Sequence, residues 1–189
     1  MRRPGCGRLP SVRTLIVLWL LSASMLLPCG PSWAADAGPL VIAVPQGFDG
    51  PVRSDESGGV TVGWVKRQPA SDIGALLQVS AIDVGTSLDG FTPAQRAEGA
   101  RHYLIEFIRG IARQREDFEL GDVEQVRLAG LPAARVRWTG TVGGHPAIGV
   151  MYCVLVGHMV VSLHTQDAGS EITPAMYSAI GAIEGVRVR

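Results

Sequence analysis

Apolar residues follow several spacings along this chain, and each spacing predicts a different kind of element. In residues 92–113, apolar side chains recur every three or four positions while charged side chains occupy the other positions, which is typical of a helix that packs one face on a core. Thr92, Pro93 and Gln95 predict its start, since Thr is a preferred N-cap, Pro fits the first turn and Gln completes a capping box. A second helix is predicted over residues 173–184, because a Thr-Pro pair again opens it and a glycine follows it.

Short apolar runs and period-two alternation predict the strands of a sheet. Runs at residues 40–44, 60–67 and 76–84 predict three strands. The stretch 46–59 is rich in Gly, Pro, Asp and Ser and predicts an exposed loop. Residues 134–139 alternate between apolar and polar side chains, which predicts a strand with one apolar and one polar face.

Residues 148–163 are apolar at both parities, which predicts strands that are covered on both faces. Gly157 and His158 interrupt this run and predict a two-residue hairpin turn. Such a turn pairs Val156 with Met159, Val154 with Val161 and Tyr152 with Leu163.

The turn that precedes this run sets the register of the neighbouring strand. For Trp138 to share a face with Tyr152, the turn around residues 142–144 must contain three residues. A two-residue turn would place Arg135 and Arg137 on that apolar face instead. We therefore expect a three-residue glycine turn with a bulge.

Residues 1–34 have the three-part pattern of a secretory signal peptide. Four arginines precede an uncharged run at residues 14–27, and small residues allow cleavage after Ala34 or after Ala37. We expect cleavage and a periplasmic protein with no stable membrane span, because the run is shorter than the roughly 20 residues of a spanning helix. An uncleaved anchor and a lipoprotein on Cys29, which follows a proline, are the alternatives.

Removing the leader changes the charge and the cysteine count. The whole chain has 17 basic and 17 acidic residues, and cleavage before Asp36 removes four arginines, which leaves 13 basic residues and a net charge of −4. There is no basic excess for nucleic acid. Only Cys153 remains of three cysteines, so no intramolecular disulfide is expected. Residues 38–189, with no repeat or long linker, are expected to form one domain.

The order of strands and helices resembles the Mog1/PsbP-like fold, in particular its exported bacterial branch, which includes DcrB. The matching segments are VPQGF at residues 44–48, LAGLPA at residues 128–133, and Tyr152 with Gly157. The resemblance implies an α+β fold in which an antiparallel sheet of six to seven strands is covered by helices, as an α/β/α sandwich. It also implies a family whose members mostly act as accessory or binding factors.

The sequence has no strong catalytic or metal-binding motif. Gly-x-Ser-x-Gly, His-Glu-x-x-His and Cys-x-x-Cys are all absent. His145 and His158 would lie roughly 40 Å apart along one strand, so a shared metal ion is not expected. Cys153 is expected to be a small buried hydrophobe. We therefore expect no cofactor and no enzymatic activity.

Two functional hypotheses follow, and a third is more distant. The first is a non-catalytic envelope factor that docks on a protein partner through a sheet edge or the 46–59 stretch. The second is a module that holds a lipid or other apolar small molecule in a pocket near Trp64, Trp138 and Tyr152, although aromatic residues in strands are more often core. The third, a hydrolase, would need His102, His164 and an acid in one pocket.

Overall fold

Two sheets and two helices make up the computed structural model, which describes residues 34–56, 58–68 and 71–189. The predicted leader lies almost entirely outside these residues. In chain order the elements are β1 (Ala34–Ala37), β2 (Leu40–Ala43), β3 (Asp49–Glu56), β4 (Gly59–Gln68), β5 (Ser71–Asp83), α1 (Pro93–Ala112), β6 (Glu116–Leu120), β7 (Glu124–Leu128), β8 (Leu131–Val142), β9 (His145–Val156), β10 (Met159–Ala168), α2 (Pro174–Glu184) and β11 (Arg187–Val188).

The larger sheet is antiparallel and has eight strands in the described part of the chain. Its order is β3-β4-β5-β10-β9-β8-β6, and β7 pairs with β8 next to β6 on the same outer side. One edge of the sheet is therefore β3, while β6 and β7 share the other edge. A small sheet has the order β1-β2-β11. This architecture confirms the predicted α+β class.

Each face of the large sheet has its own apolar core. On one face, called the α1 face, α1 packs over β8, β9 and β10. Leu104 and Ile108 of α1 belong to the same apolar core as Val136, Trp138 and Met151 of the sheet. On the opposite face, called the α2 face, α2 and the small sheet cover a second core with Leu40, Trp64, Leu77, Tyr152 and Ile183. Burial on both faces explains why the central strands are apolar at both parities.

Both predicted helix starts are confirmed. The Thr92 hydroxyl accepts a hydrogen bond from the Gln95 backbone N–H, and the Gln95 side chain accepts one from the Thr92 backbone N–H, so the capping box is complete. Thr173 caps α2 by accepting from Met176 N, 3.1 Å away. Its hydroxyl also donates to the carboxylate of Asp167, at 2.5 Å.

The β9–β10 hairpin has the predicted two-residue turn and register. Val156 pairs with Met159, Val154 with Val161, and Tyr152 with Leu163. The glycine of the turn, Gly157, has a φ of 59°, which favours a residue without a Cβ.

The predicted three-residue turn between β8 and β9 is wrong. Gly143 and Gly144 form a two-residue turn with φ angles of 57° and 80°, and Val142 pairs directly with His145. These angles fit a type I′ hairpin turn. Arg135 therefore pairs with Tyr152 and shares the α2 face with it. The sequence could not reveal this register, because β9 has apolar residues at both odd and even positions and either of its faces could join the apolar side of β8.

The predicted exposed loop at residues 46–59 is also wrong in part, because it contains β3. This strand pairs with β4 from Asp49 to Glu56, with an irregularity between Asp49 and Val52. Its polar composition and Pro51 are typical of an edge strand, where only one side of the backbone is paired and charged residues face water.

Candidate functional site

A groove runs between the N-terminal half of α1 and the edge strand β7. It consists of two cavities of about 410 and 300 Å³ that share Ala94 and Gln125 in their walls. Its lining residues come from α1, from the β7 strand and its approach, and from the start of β8: Pro93, Ala94, Ala97, Glu98 and Arg101; Val123, Glu124, Gln125, Val126 and Arg127; Pro132, Ala133 and Ala134.

Small side chains and the position of α1 create this groove. Ala94 and Ala97 present short side chains at the start of α1, and Ala133 and Ala134 do so on β8. Because α1 packs over β8, β9 and β10, the outer strand β7 is left beside the helix rather than under it. The space between them therefore stays open to one side.

The backbone of β7 has a free edge along this groove. Leu128 pairs with Leu131 across the two-residue turn, and antiparallel alternation then directs the N–H and C=O groups of Gln125 and Arg127 away from β8. The hydrogen bond from Gly121 N to Arg137 O follows the same alternation. No described strand pairs with this side of β7, so the strand presents an unpaired edge.

The alternation of side chains along β7 decides which of its residues face the groove. Val126 and Leu128 pack in the core of the α2 face, so Gln125 and Arg127 project from the α1 face beside the helix. Both of these residues are exposed. Glu98 and Arg101 on α1 are also exposed, so the rim of the groove carries charges of both signs above an apolar floor.

An ion-pair network on the α2 face holds β7 in place. Arg135 on β8 donates to Glu124 on β7 at 2.5 Å and contacts Glu184 on α2 at 3.4 Å. Tyr152 donates to the same Glu184 carboxylate at 2.8 Å. Burial raises the pKa of Tyr152 to about 12, so its hydroxyl stays protonated and able to donate. The hydrogen bond from Arg135 lowers the pKa of Glu124 and keeps this carboxylate charged.

The three aromatic residues predicted to line a ligand pocket are not brought together. Trp64 and Tyr152 belong to the core of the α2 face, whereas Trp138 belongs to the core of the α1 face. All three are buried. Trp138 instead stacks on Phe118, and the Arg115 guanidinium lies 4.7 Å from its ring centroid.

The histidines and the cysteine do not converge on the groove. His164 is buried on the α1 face of β10, and burial together with the positive charge of Arg115 lowers its pKa to about 3. His102 is exposed on α1. Cys153 is buried, and burial raises the pKa of its thiol. Among the described residues, no group of three His, Cys, Asp or Glu side chains is arranged to hold a metal ion.

No sequence motif marks this site, because the site exists only where β7 and the start of α1 lie side by side in the fold. Alanines at the start of α1 appeared only as part of an amphipathic helix, and Gln125 lies in a short polar stretch with no distinctive pattern. The LAGLPA segment did mark the turn that ends β7, since Ala129 and Gly130 have φ angles of 50° and 79°. Only the pairing of β7 with β8 places its free edge beside the helix.

Solved structures show which fold this is. The chain is similar to the solution structure of cyanobacterial PsbP (CyanoP) from Synechocystis, with a TM-score of 0.53 and 11% identity over 88% of this chain and 98% of that one. The fold is PsbP-like. A structure from Bacteroides thetaiotaomicron matches with a TM-score of 0.51 and 11% identity, over 83% of this chain and 47% of that one.

A third similar structure is LpqN, described as involved in cell envelope biogenesis of Mycobacterium tuberculosis. It has a TM-score of 0.47 and 19% identity over 79% of this chain and 82% of that one. No family model matches the chain, and no curated protein matches it. The closer likeness to DcrB stays a prediction. No described helix has the length and apolar character needed to cross a membrane.

Proposed function

We propose that this protein is a non-catalytic accessory protein of the bacterial envelope that binds an extended segment of a partner protein along β7. The observation that carries this proposal is the free backbone edge of Gln125 and Arg127 along the groove between α1 and β7. The signal-peptide pattern of residues 1–34 supports export to the periplasm.

Strand addition explains why an edge and a groove occur together. A peptide that pairs with β7 would receive main-chain hydrogen bonds from Gln125 and Arg127, and these bonds supply affinity without regard to sequence. Every second side chain of that peptide would point into the groove, where apolar walls and charged residues select among sequences. The apolar part of the lining, formed by alanine, proline and valine residues, is suited to holding the side chains of a bound segment.

The contacts of Arg135 with Glu124 and Glu184 hold β7 in an ordered conformation. An edge strand that frays gives little affinity, because ordering it costs conformational entropy during binding. Glu124 is already bonded to Arg135, which also reaches Glu184 on α2. The strand is therefore preorganised for pairing.

A photo-crosslinking experiment tests the proposal. A photoreactive amino acid at Arg101, which lines the groove, should crosslink a specific protein in cells. The same group at Tyr177, a 62% exposed residue of α2, should not crosslink that protein. Mass spectrometry of the adduct would identify the bound segment.

Two substitutions of Gln125 separate backbone pairing from side-chain contact. Gln125→Pro removes an outward N–H without breaking the β7–β8 ladder, so crosslinking should fall about tenfold, as expected for one lost hydrogen bond. Gln125→Ala keeps that N–H and should retain crosslinking. Equal crosslinking by both variants, with native circular dichroism, would show that strand addition does not occur.

A further inference from the structure

The opposite edge of the sheet, β3, also has a short free backbone edge. The hydrogen bond from Asp83 N to Gly58 O shows that Gly58 bonds towards β5, so by alternation Gly59 and Thr61 of β4 bond towards β3. Ser54 pairs with Thr61 and therefore bonds inward. The N–H and C=O groups of Arg53 and Asp55 consequently point outward, away from β4.

Pro51 limits the length of this edge. It lies in the irregular stretch between Asp49 and Val52, and a proline has no N–H to donate. Only the outward groups of Arg53 and Asp55 are then available for a regular antiparallel ladder. A short edge that ends at a proline limits how far a ladder on β3 can extend.

The charges on this edge are self-complementary. Arg53 and Asp55 point to the same face of β3 and form an ion pair of 2.8 Å, with side chains 52% and 65% exposed. A two-fold axis through Ser54 would place Arg53 of one copy opposite Asp55 of the other, and would do so twice. These are also the positions at which opposite residues exchange both backbone hydrogen bonds.

Registers centred on Arg53 or Asp55 would place like charges directly opposite each other. An axis through Arg53 would oppose two arginines, and an axis through Asp55 would oppose two aspartates, which is unfavourable for directly opposite residues. The register centred on Ser54 combines four backbone hydrogen bonds with two opposite-charge pairs. A second copy of the chain supplies all of these partners through one symmetric contact.

We infer that two copies of this protein associate through antiparallel pairing of their β3 strands, centred on Ser54. The large sheets of the two copies then form one continuous sheet. Each β7 groove remains at an outer edge of this sheet, so the dimer presents two copies of the groove facing outward. The inference stands on β3 alone and does not depend on peptide binding at β7.

Charge reversal and charge swap test the register. Sedimentation equilibrium of the mature protein should show a monomer–dimer equilibrium that weakens with salt. Arg53→Asp and Asp55→Arg should each raise the dimer Kd at least tenfold, because each turns two attractive pairs into two repulsive ones. The double variant Arg53→Asp/Asp55→Arg restores opposite charges and should return the Kd to within about threefold of the wild type.

Disulfide trapping tests the axis directly. Two copies of Ser54 would face each other at a non-hydrogen-bonded position, with Cα atoms about 4.5 Å apart, which is within disulfide range. Ser54→Cys should therefore give a disulfide-linked dimer under mild oxidation with copper phenanthroline. Tyr177→Cys is the exposed control and should not.

Several outcomes would overturn the dimer. A wild-type protein that stays monomeric up to about 1 mM has too little affinity for it. Failure of the double variant to recover association, while each variant keeps a native circular dichroism spectrum, would show that the opposed charges do not set the contact. A dimer that survives every variant and gives no Ser54→Cys crosslink would place the interface elsewhere.

Discussion

Gly149 lies opposite Trp138 on adjacent strands, and the two residues fit together as a large and a small partner. A Cβ added to Gly149 would lie 2.2 Å from the Cε2 atom of Trp138, far inside van der Waals contact. The glycine therefore provides space for the indole ring on the α1 face. A glycine inside a strand often marks such a close approach.

Gly149→Ala should lower the free energy of unfolding by about 3 kcal/mol, at the upper end of the usual cost of overpacking a core. The added methyl group must displace the indole ring or separate β8 from β9. Urea unfolding followed by circular dichroism would measure the change. The double variant Gly149→Ala/Trp138→Leu should lose less stability than the sum of the two single losses, because the smaller side chain vacates the space that the added methyl group needs.

Gly181→Ala is the matched control at a position with open space. Apart from its chain neighbours and the backbone of its own helix, no described atom lies within 4 Å of a Cβ added to Gly181 in α2. Alanine favours a helix over glycine by up to about 1 kcal/mol, so this variant should be as stable as the wild type or more stable. If Gly149→Ala unfolded at the same urea concentration as Gly181→Ala, the proposed contact with Trp138 would be refuted.

At the scale of elements, the two helices use the same opening residues in different surroundings. Thr92 caps α1 at the surface, within an exposed capping box. Thr173 caps α2 and also donates to Asp167, which is only 2% exposed on β10. Thr92 therefore caps α1 only, whereas Thr173 caps α2 and also links this helix to the sheet.

Thr173→Ala should destabilise the protein more than Thr92→Ala. Loss of a threonine N-cap costs about 1 kcal/mol, and we expect this value for Thr92→Ala. Thr173→Ala also removes a hydrogen bond to a buried carboxylate, which adds about 1 to 2 kcal/mol. Urea denaturation of both variants checks this order; equal losses would mean that the contact between Thr173 and Asp167 contributes nothing to stability.

At the scale of the whole molecule, a neutral histidine is built into the core. His164 lies on β10 with its ring centroid 5.8 Å from that of Trp138, and its Nε2 atom has no hydrogen-bond partner among the described residues. Burial, reinforced by the charge of Arg115, lowers its pKa from 6.5 to about 3. Between these two pH values the unfolded chain binds a proton that the folded protein does not.

The stability of the wild type should therefore decrease as the pH falls from 7 towards 3. A histidine with these two pKa values contributes a loss of about 2 kcal/mol between pH 7 and pH 5. His164→Leu removes this titration, so the free energy of unfolding of this variant should change less over that interval. Urea unfolding at both pH values measures the difference.

Ser162→Ala is the control for this pH experiment. Ser162 lies two residues before His164 on the same face of β10 and does not titrate. The variant should keep the pH dependence of the wild type. If His164→Leu lost the same stability between pH 7 and pH 5 as the wild type, the acid sensitivity would arise from other groups.

Features with a local cause were predictable from the sequence. The starts of both helices follow from Thr and Pro at the caps, and the β9–β10 turn follows from Gly157 within an apolar run. In each case the deciding interactions join residues within a few positions of one another. The α+β class followed from the order of these elements.

The sequence by itself determined which segments become helices and where the long hairpin turns, because hydrogen bonds between near neighbours decide both. Only the tertiary structure decided the register at Gly143–Gly144, the conversion of residues 49–56 into an edge strand, and the groove beside β7. Because β9 is apolar at both odd and even positions, its sequence does not fix which of its faces the apolar side of β8 joins. A polar segment becomes an edge strand only when a distant partner offers its backbone, and that partner is chosen by the packing of the whole domain.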